Sequence, residues 1–399
     1  MSSALPVVHG CTHLRPLGGV QSMLRRHLRR DASVGLDPSG VIWFERGPFD
    51  DQSSGRPVTG LGLRWFHTGR ILRRRFSNRD RPSQDPGAVW AFHDLWGVPT
   101  IADLDSSLRR IGILHSHWEG ADDLLRASAG LLDGMLCVSA ATVDLARANL
   151  PQLAPDRIAW LPYPVDPPPV RLPERPPPRA ELVIGYCGRI QQVQKRVERL
   201  PRLARELRAA GIPHRWELLG DGPQRGQLER DLAAVGVPCR FHGILTGEAY
   251  WRVLADWDLI VFTSDFEGLP IAMLEAMSGG VVPVFPNVDC GGRDYTRRVA
   301  PELVYNAGDL RAAAQAVSWL RSQTGDTRRD LERRSVAAAA PHGGDAYGRT
   351  FASFVRDVAS RPRVSAPGPA ARRRHSGEWF PFGLLGRLPV SHPLRRGYL

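Results

Sequence analysis

The residues of this sequence best suited to chemistry are two glutamates, Glu267 and Glu275, which stand eight positions apart. Apolar runs over residues 256–262 and 281–285 flank them, so the pattern predicts strand, loop, helix and strand. In doubly wound sheets, ligands lie where a strand ends and a helix begins. Ionised carboxylates only accept hydrogen bonds, and sugar hydroxyls donate them. The pair therefore suits a hydroxyl-rich ligand, although glutamates at this spacing also occur on solvated helices.

Two cationic side chains follow an earlier predicted strand, residues 182–187. Arg189 and Lys195 flank the loop that leads from this strand into a helix. A guanidinium binds phosphate oxygens in pairs and an ammonium acts as a point charge, so the loop could hold a diphosphate. Near the amino terminus, Gly18 and Gly19 precede a predicted helix. Such a pair lets backbone amides approach a phosphate, but simple turns use it too.

Apolar strands alternate with helical segments through two halves of the chain, which predicts an α/β fold with two Rossmann-like, doubly wound parallel-sheet domains. A proline-dense segment separates the halves and reads as an extended linker. The predicted domains are a first domain (1–166), the linker (167–180), a second domain (181–340), a further helix (341–360) and a basic tail (361–399).

Positive charge is concentrated in the tail. The chain has 53 basic and 41 acidic residues, a net charge of +12, and residues 361–399 hold eight arginines against one acid, Glu378. This composition predicts a disordered tail, with docking on an anionic membrane as the alternative. Residues 46–86, rich in Arg, Gly, Ser and Pro, predict a solvated surface. The alternative there is a surface that meets an anionic lipid or polymer.

Several classes of protein are disfavoured by the sequence. No apolar run of about 18 residues and no signal-peptide pattern occurs, so a cytoplasmic location is expected, with peripheral contact at the inner membrane face as an option. A nucleic-acid-binding protein would account for the arginine content, but no RRM, KH or zinc signature accompanies it, so no nucleic-acid partner is expected. The cysteines are widely spaced and predict free thiols: Cys11, Cys137, Cys187, Cys239 and Cys290.

Three motifs together resemble those of the retaining glycosyltransferases with the GT-B fold, family 4. The stretch Thr263–Gly280, with Glu-Gly-Leu-Pro at 267–270 and Glu-Ala-Met at 275–277, is similar to the E-x7-E signature. Gly188-Arg189-Ile190 followed by Lys195 is similar to the family's donor-phosphate motif, and Gly18-Gly19-Val20-Gln21-Ser22 is similar to its glycine loop. The resemblance covers residues from about 5 to 360 and its motifs occur in order.

The resemblance implies that residues 1–166 form an acceptor-side domain, that residues 181–340 form a nucleotide-sugar-binding domain facing it across a cleft, and that the helix at 341–360 crosses back to the first domain. It also implies a metal-independent transfer of a hexose from a UDP-, GDP- or ADP-sugar to a glycan or lipid-linked acceptor. No cofactor is expected. The implied catalytic residues are Glu267, which holds sugar hydroxyls, and His115. Glu275 is implied to bind the ribose. The implied diphosphate-binding residues are Gly18, Gly19, Arg189, Lys195, Gly268 and Leu269.

Three points stay open at this stage. The family's histidine at a strand end matches either His115, which we favour, or His117; His93 and Asp94 are expected to orient each other. The mechanism is expected to be front-face transfer, in a pathway that makes a surface polysaccharide or glycolipid. The alternative enzyme is an epimerase or hydrolase of sugar nucleotides on the same fold, which would need no acceptor.

Overall fold

The computed structural model describes residues 4–15, 18–47, 49, 55–77, 85, 87–105, 107–166, 168, 179–364, 379–385 and 387–388. The chain divides into two compact units. The first unit comprises residues 1–162 and 345–399, and the second comprises residues 163–344. Most of the predicted linker and the Arg79–Arg81 cluster lie outside the described residues.

The described part of the first unit contains one sheet of seven parallel strands in the order β3-β2-β1-β4-β5-β6-β7. The strands are β1 (Leu5–Cys11), β2 (Leu36–Ile42), β3 (Val58–Gly60), β4 (Val89–His93), β5 (Arg109–Leu114), β6 (Gly134–Cys137) and β7 (Ile158–Trp160). The order reverses direction beside β1, between β1 and β4. Doubly wound sheets bind ligands at such a switch point.

The described residues of the second unit form a six-stranded parallel sheet in the order β10-β9-β8-β11-β12-β13. The strands are β8 (Leu182–Cys187), β9 (His214–Leu219), β10 (Cys239–Gly243), β11 (Leu259–Val261), β12 (Val282–Pro286) and β13 (Val304–Tyr305). Its switch point lies between β8 and β11. The two sheets confirm the predicted pair of doubly wound α/β domains.

The helices of the described chain connect these strands. They are α1 (Gly19–Arg30), α2 (Gly69–Ser77), α3 (Val98–Ile101), α4 (Ala121–Ala127), α5 (Ala140–Asn149), α6 (Arg199–Ala209), α7 (Arg225–Val235), α8 (Gly247–Ala255), α9 (Ile271–Ser278), α10 (Gly291–Val299), α11 (Leu310–Ser322), α12 (Gly325–Ala339), α13 (Gly344–Ser360) and α14 (Phe382–Leu385). A 3₁₀ turn, Asp31–Val34, follows α1. Among the described residues, no helix combines the length and hydropathy needed to cross a bilayer.

The central strands are apolar because both of their faces are covered, as parallel sheets require. Strand β8 is a nearly continuous run of buried residues. At its centre, Gly185 leaves room for the ring of Trp257: a Cβ there would lie 2.0 Å from an indole carbon. The indole is fully buried. A side chain at position 185 would therefore displace the largest residue packed on this strand.

The arginine-rich segment 46–86 is more ordered than its composition predicts. Helix α2 runs through it and buries Leu72 and Phe76 in the core of the first unit. Arg73 forms a bidentate ion pair with Asp103, at 2.5 and 2.9 Å. The sequence analysis missed this helix because its apolar positions are few and separated by arginines. Arginine stems cover apolar surface while their charged ends reach partners, so charge alone does not indicate a solvated segment.

Part of the basic tail is also folded, which corrects the prediction of disorder for residues 379–385. Phe382 and Leu385 are buried in the core of the first unit. Phe382 packs edge-on against Trp96, with ring centroids 5.3 Å apart, and its amide donates to the carbonyl of His67 at 2.9 Å. The prediction rested on the Pro and Arg content of the whole tail, whereas burial of two apolar side chains, Phe382 and Leu385, packs this segment onto the core.

Replacing Phe382 with alanine tests this packing. We expect the free energy of unfolding to fall by about 3–5 kcal/mol, because a buried aromatic ring is lost and a cavity remains. Leu384→Ala is the control, since Leu384 is 47% exposed and its loss should change stability by less than about 0.5 kcal/mol. Urea unfolding followed by tryptophan fluorescence measures both. Equal stability of the two variants would mean that α14 is not seated in the core.

Candidate functional site

The loop after β8 and the loop after β11 meet at the carboxyl ends of their strands. The ammonium of Lys195 lies 2.6 Å from Oε1 of Glu267, and both side chains are largely buried. The hydroxyl of Ser264 donates to the same oxygen at 2.6 Å, and the amide of Gln194 lies 3.3 Å from Oε2. Charge-assisted hydrogen bonds of this kind are stronger than neutral ones. The structure thus brings the predicted residues Lys195 and Glu267 into direct contact.

Further bonds hold the two loops together. The amide of Asp265 donates to the carbonyl of Gln194 at 3.0 Å, and the hydroxyl of Thr263 donates to the carbonyl of Lys195 at 2.9 Å. Arg199 lies 2.6 Å from the carboxylate of Asp265. Together these contacts hold the backbone on either side of the Lys195 and Glu267 pair. Preorganisation of this kind keeps charged groups in place before a ligand arrives.

Two glycines after β9 allow a third loop to pass close to the Arg189 loop. A Cβ on Gly220 would lie 1.9 Å from the carbonyl oxygen of Gly188, and Gly220 has a φ of 126°. A Cβ on Gly222 would lie 2.3 Å from the carbonyl oxygen of Ile190. Only glycine fits such close backbone contacts. The Gly-Asp-Gly-Pro turn therefore shapes the backbone around Arg189.

Arg189 itself is exposed, and its backbone is held while its charged end faces solvent. The hydroxyl of Tyr186 donates to the carbonyl of Arg189 at 2.8 Å. The guanidinium of Arg189 donates to Oε1 of Gln194 at 3.2 Å. Gln194 therefore connects Arg189 to Glu267, and the two cations flank one small region. That arrangement can bind an anion with two or more negative oxygens.

Glu275 lies on α9 and is held apart from Glu267. The hydroxyl of Tyr250, on α8, donates to Oε2 of Glu275 at 2.5 Å. Burial raises the pKa of Glu275 to about 7, although the Tyr250 hydrogen bond opposes this and the nearby Asp166 adds to it. A carboxylate with such a pKa gains from any further hydrogen-bond donor, because a donor stabilises its charged form. A ribose diol supplies two.

Gly268 and Leu269 connect Glu267 to α9. The carbonyl of Gly268 accepts a bond from the amide of Gly291, the first residue of α10, at 2.7 Å. Pro270 is the N-cap of α9, with φ −65° and ψ 116°, so the helix begins at Ile271 and not at the proline. The first turn of α9 contains no acid. The amides of Met273 and Leu274 donate to the carbonyl of Pro270, so those of Ile271 and Ala272 are the ones placed to attract negative charge.

In the first unit, Gly18 is the N-cap of α1 and Gly19 is its first residue. The φ of Gly18 is −153°, an extended conformation, and the first turn of the helix carries no acid. A Cβ on Gly18 would lie 2.6 Å from the side-chain oxygen of Gln21. The glycine pair thus opens a 12-residue helix, as the sequence predicts. Its phosphate-binding role stays a prediction.

His115 directly follows β5 and is 5% exposed, whereas His117 is exposed. Nε2 of His115 lies 2.7 Å from Nδ1 of His93, and the His115 amide donates to Asp94 at 3.0 Å. His117 instead contacts Asp122 at 3.1 Å. Asp94 therefore orients the backbone of His115, and the expected side-chain pairing of His93 with Asp94 is wrong. Burial raises the pKa of Asp94 to about 7.

The sequence analysis missed several polar residues of these sites. In the second unit they are Gln194 and Tyr250; in the first unit they are His9, His27 and Asp31. Several of their contacts join distant parts of the chain: Gln194 contacts Glu267, 73 residues away, and His9 contacts His93, 84 residues away. Tyr250, for example, is 25 residues from Glu275. Only the sheet order brings such residues together.

Solved structures of known proteins share the fold of this chain. One similar solved structure is sucrose-phosphate synthase from Thermosynechococcus elongatus. The alignment includes 89% of this chain and 99% of the synthase chain, with a TM-score of 0.70 and 17% sequence identity. A second is Anabaena HepE in complex with UDP and glucose. That alignment includes 88% of this chain and all of the HepE chain, with a TM-score of 0.68 and 11% sequence identity. The fold is the GT-B fold of glycosyltransferases, as predicted.

The family follows from sequence. Residues 181–323, which make up most of the second unit, match the family model of glycosyl transferases group 1. A 2-deoxystreptamine N-acetyl-D-glucosaminyltransferase of Streptomyces fradiae is 31% identical over 193 residues, which is 47% of this chain and 43% of that relative. The chain thus matches less than half of that relative's length. Both matches support the predicted resemblance to glycosyltransferases.

The raised pKa of Glu275 predicts a pH-dependent stability. An unperturbed glutamate has a pKa of about 4.3, so the folded chain keeps a proton up to about pH 7 that the unfolded chain has lost. This contribution is complete at pH 4 and is lost as the pH rises through about 7. Glu275→Gln has no carboxyl group to titrate at this position. The Tm of the variant minus the Tm of wild type should therefore increase by about 2 °C or more between pH 5 and 8.

The exposed Glu248, paired with Arg252 on α8, provides the control. Glu248→Gln should keep a constant Tm difference from wild type over the same pH range. Differential scanning calorimetry at 0.5 pH intervals gives both curves. A constant difference for Glu275→Gln as well would show that Glu275 titrates normally.

Proposed function

We propose that the protein is a retaining glycosyltransferase that moves a hexose from a nucleoside diphosphate sugar to an acceptor hydroxyl. The observation that carries this proposal is the Lys195 and Glu267 pair, flanked by the exposed Arg189, at the switch point of the second sheet. The site offers cations for a diphosphate and carboxylates for hydroxyls. The match of residues 181–323 to glycosyl transferases group 1 supports the same reaction.

The leaving group of such a reaction is a nucleoside diphosphate, whose charge increases as the sugar bond breaks. We assign Arg189, Lys195 and the amides of Gly268, Leu269 and the start of α9 to this charge. In the first unit we assign Gly18 and Gly19 to it. Among the described residues of the donor site, no group of His, Cys, Asp and Glu side chains is placed to share a metal ion. We therefore propose a reaction without a metal cofactor.

Glu267 is assigned to the sugar hydroxyls and Glu275 to the ribose. The carboxylate of Glu267 already faces donors from Lys195, Ser264 and Gln194. Such a carboxylate is a poor nucleophile, because its charge is stabilised where it stands. We therefore propose front-face transfer, in which the leaving phosphate assists the incoming hydroxyl and the anomeric configuration is retained. His115 is proposed as a second contact of the transferred sugar.

The nucleotide and the acceptor are narrower proposals. The UDP and glucose in the HepE structure favour a UDP-hexose as the first donor to test, before GDP- and ADP-sugars. We propose a glycan or lipid-linked acceptor, in the synthesis of a surface polysaccharide or glycolipid. The name of the Streptomyces fradiae relative adds 2-deoxystreptamine, a small polyhydroxylated ring, as a competing acceptor.

A thermal-shift screen of UDP-, GDP- and ADP-hexoses without added metal tests the donor site. One nucleotide class should stabilise the wild type, because a ligand that binds only the folded state raises Tm. Lys195→Ala and Glu275→Ala should each weaken the binding of that nucleotide by about 10- to 100-fold, since each removes a charge-assisted contact of about 1.5–3 kcal/mol. Arg252→Ala, an exposed arginine on α8, should bind like wild type.

Product analysis completes the test. Transfer to a polyol acceptor should give the donor's anomeric configuration by NMR, and an inverted product would refute front-face transfer. Release of free sugar at the same rate with and without acceptors would indicate a hydrolase. If no nucleotide sugar stabilises the protein at millimolar concentration, the glycosyltransferase proposal fails and the GT-B fold alone remains.

A second proposal concerns a face of the first unit, which we name the aromatic-arginine face. Its exposed apolar residues are Trp65 (68%), Phe66 (54%), Trp379 (63%) and Leu384 (47%). They lie together: the amide of Gly383 donates to the carbonyl of Trp65 at 2.6 Å, and the rings of Trp65 and Phe66 are 5.7 Å apart. We propose that this face contacts an anionic membrane at its surface.

The charge of the face fits such a surface. Arg64, Arg70 and Arg74 are exposed, and residues 64–77 and 379–388 contain no acid. Burial, and then the neighbouring arginines Arg46, Arg74 and Arg64, lower the pKa of Arg75. Positive potential is therefore concentrated here. Aromatic rings beside cations are typical of proteins that lie at a lipid headgroup boundary, where the rings enter the interface and the cations meet anionic lipids.

Vesicle co-sedimentation tests the face. Wild type should bind phosphatidylglycerol-containing vesicles, bind pure phosphatidylcholine vesicles at least ~10-fold more weakly, and release at high salt. The double variant Trp65→Ala/Phe66→Ala should bind the phosphatidylglycerol vesicles about 10-fold more weakly, because burying one such ring contributes about 1.5–3 kcal/mol. Ile244→Ala, which removes a 53% exposed side chain from the second unit, should not change binding. The proposal is refuted if wild type binds both kinds of vesicle equally, or if the double variant binds as tightly as wild type.

A further inference from the structure

The carboxylate of Asp94 lies at the switch point of the first sheet. Asp94 directly follows β4, and the strand order reverses between β4 and β1. Burial raises the pKa of the Cys11 thiol, and the charge of Asp94 adds to this effect, so the carboxylate also lies near the end of β1. Doubly wound sheets bind ligands in the crevice at such a reversal. Asp94 is therefore placed where the first unit is expected to hold a ligand.

Two hydrogen bonds to β5 and the residue after it hold Asp94 in place. The amide of Asp94 donates to the carbonyl of Ile113 at 2.9 Å, and Oδ1 accepts from the amide of His115 at 3.0 Å. Within the described part of the chain, Oδ2 has no hydrogen-bond partner and the carboxylate forms no ion pair. Asp94 is partly exposed, whereas its neighbours His93 and Leu95 are buried. One oxygen thus serves the fold, and the other is left for a ligand.

The backbone at this position is strained, and the surrounding packing maintains the strain. Asp94 and Leu95 both have left-handed backbone angles, with φ of 58° and 62°. Aspartate tolerates this region, but leucine is disfavoured there because its Cβ crowds the following carbonyl. Leu95 is fully buried against Gly112 on β5, where a Cβ would lie 2.4 Å from Cδ2 of Leu95. The turn therefore fixes the position of the carboxylate, and strain held in this way is typical of functional sites.

A ligand that donates a hydrogen bond would stabilise this carboxylate. Burial raises the pKa of Asp94 to about 7, and the bond from the His115 amide opposes this only in part. A donor at Oδ2 favours the ionised form, because it replaces water that the carboxylate has lost. An anionic ligand is disfavoured, since its charge would repel a carboxylate that has no cation beside it. The free oxygen therefore selects a group with a proton to donate, such as a hydroxyl.

This chemistry fits the second substrate of the reaction, an assignment that rests on the proposed function. The charged side chains assigned to the donor all belong to the second unit: Arg189, Lys195, Glu267 and Glu275. We propose that Asp94 binds the acceptor through one of its hydroxyls and so selects polyhydroxylated acceptors. The carboxylate then holds the acceptor at the switch point of the first sheet.

The hydroxyl that Asp94 binds is not the one that attacks. In front-face transfer the leaving phosphate takes the electrons of its bond to the anomeric carbon, the acceptor oxygen forms the new bond, and the proton of that oxygen passes to the phosphate. An alcohol has only this one proton to donate. Asp94 therefore needs a second hydroxyl near the attacking one. A sugar or cyclitol ring supplies it, whereas a simple alcohol does not.

A purely structural role is the competing interpretation of Asp94. The carboxylate would then serve only to hold the amide of His115 and the strained turn. That role needs one oxygen that accepts a hydrogen bond, and the amide oxygen of asparagine meets the need. Binding of the acceptor also needs the negative charge on the second oxygen. The neutral variant Asp94→Asn therefore separates the two roles.

Transfer from a saturating nucleotide sugar to three polyols tests the proposal: 2-deoxystreptamine, methyl α-D-glucoside and myo-inositol. For the polyol that wild type uses best, Asp94→Asn should lower kcat/KM by about 10- to 100-fold, as expected when a charge-assisted hydrogen bond is lost. The Tm shift caused by the nucleotide sugar should match that of wild type. Asp37→Asn is the matched control, because it removes an exposed carboxylate of β2 that is paired with Arg56. It should transfer like wild type.

The pH profile adds a readout that a structural role would not change. In wild type the KM for the polyol should fall as the pH rises through about 7, because the ionised carboxylate is the stronger acceptor. In Asp94→Asn the KM should not vary with pH. The described titratable groups at the ends of the neighbouring strands stay neutral here, because burial raises the pKa of Cys11 to about 12 and lowers the pKa values of His93 and His115 well below 7. Glu275 acts on the donor, which is saturating.

Asp94→Gly is a second variant in case Asp94→Asn does not fold, since glycine adopts a φ of 58° without strain. It should show the same loss of transfer. The proposal is overturned if a folded variant transfers as well as wild type, if it loses the donor's Tm shift too, or if wild type prefers cyclohexanol to the polyols. If a nucleotide sugar binds but no polyol is glycosylated, this proposal fails and the donor site stands. If no nucleotide sugar binds, the proposed function itself fails.

Discussion

The contact on which the second unit's site depends is the ion pair between Lys195 and Glu267. It joins two loops that leave adjacent strands of the sheet, β8 and β11, and these loops bring the other predicted residues with them. A largely buried ion pair costs desolvation energy, so it persists only when additional hydrogen bonds satisfy both partners. Ser264 and Gln194 supply those bonds to Glu267. The pair is therefore part of a connected polar network, whose charge a diphosphate can share.

The spacing of Glu267 and Glu275 gives the two carboxylates different chemistry. Glu267 lies before the helix, among donors that stabilise its charge. Glu275 lies one element further on, beside a single tyrosine hydroxyl and close to Asp166, and burial raises its pKa to about 7. One carboxylate is thus satisfied without a ligand, whereas the other gains from one. An enzyme that must bind a nucleotide and release it again benefits from this second kind of group, because its hydrogen bonds are strongest in the complex.

The sequence predicted what is local along the chain. Strand β8 was assigned with its observed bounds, and the Arg189 and Lys195 motif fell in the loop that follows it, because apolar runs and glycines report directly on strands and turns. Helix α2 and the seated segment at Phe382 were missed. Their helical or apolar signal is short, and composition averaged over tens of residues hides it. Contacts such as Tyr250 with Glu275 depend on sheet order, which no local pattern encodes.

The first unit shows how a buried charge is stabilised by its neighbours. The carboxylate of Asp31 lies 3.0 Å from Nδ1 of His27 and 3.4 Å from Nε2 of His9. Burial acts to raise the pKa of Asp31, but the two histidines outweigh that effect and lower the pKa to about 2. Aromatic packing closes this region: Phe351, on α13, stacks on His9 with ring centroids 5.9 Å apart. A buried carboxylate is costly without polar partners, so the histidines are what allow Asp31 to lie in the interior of the first unit.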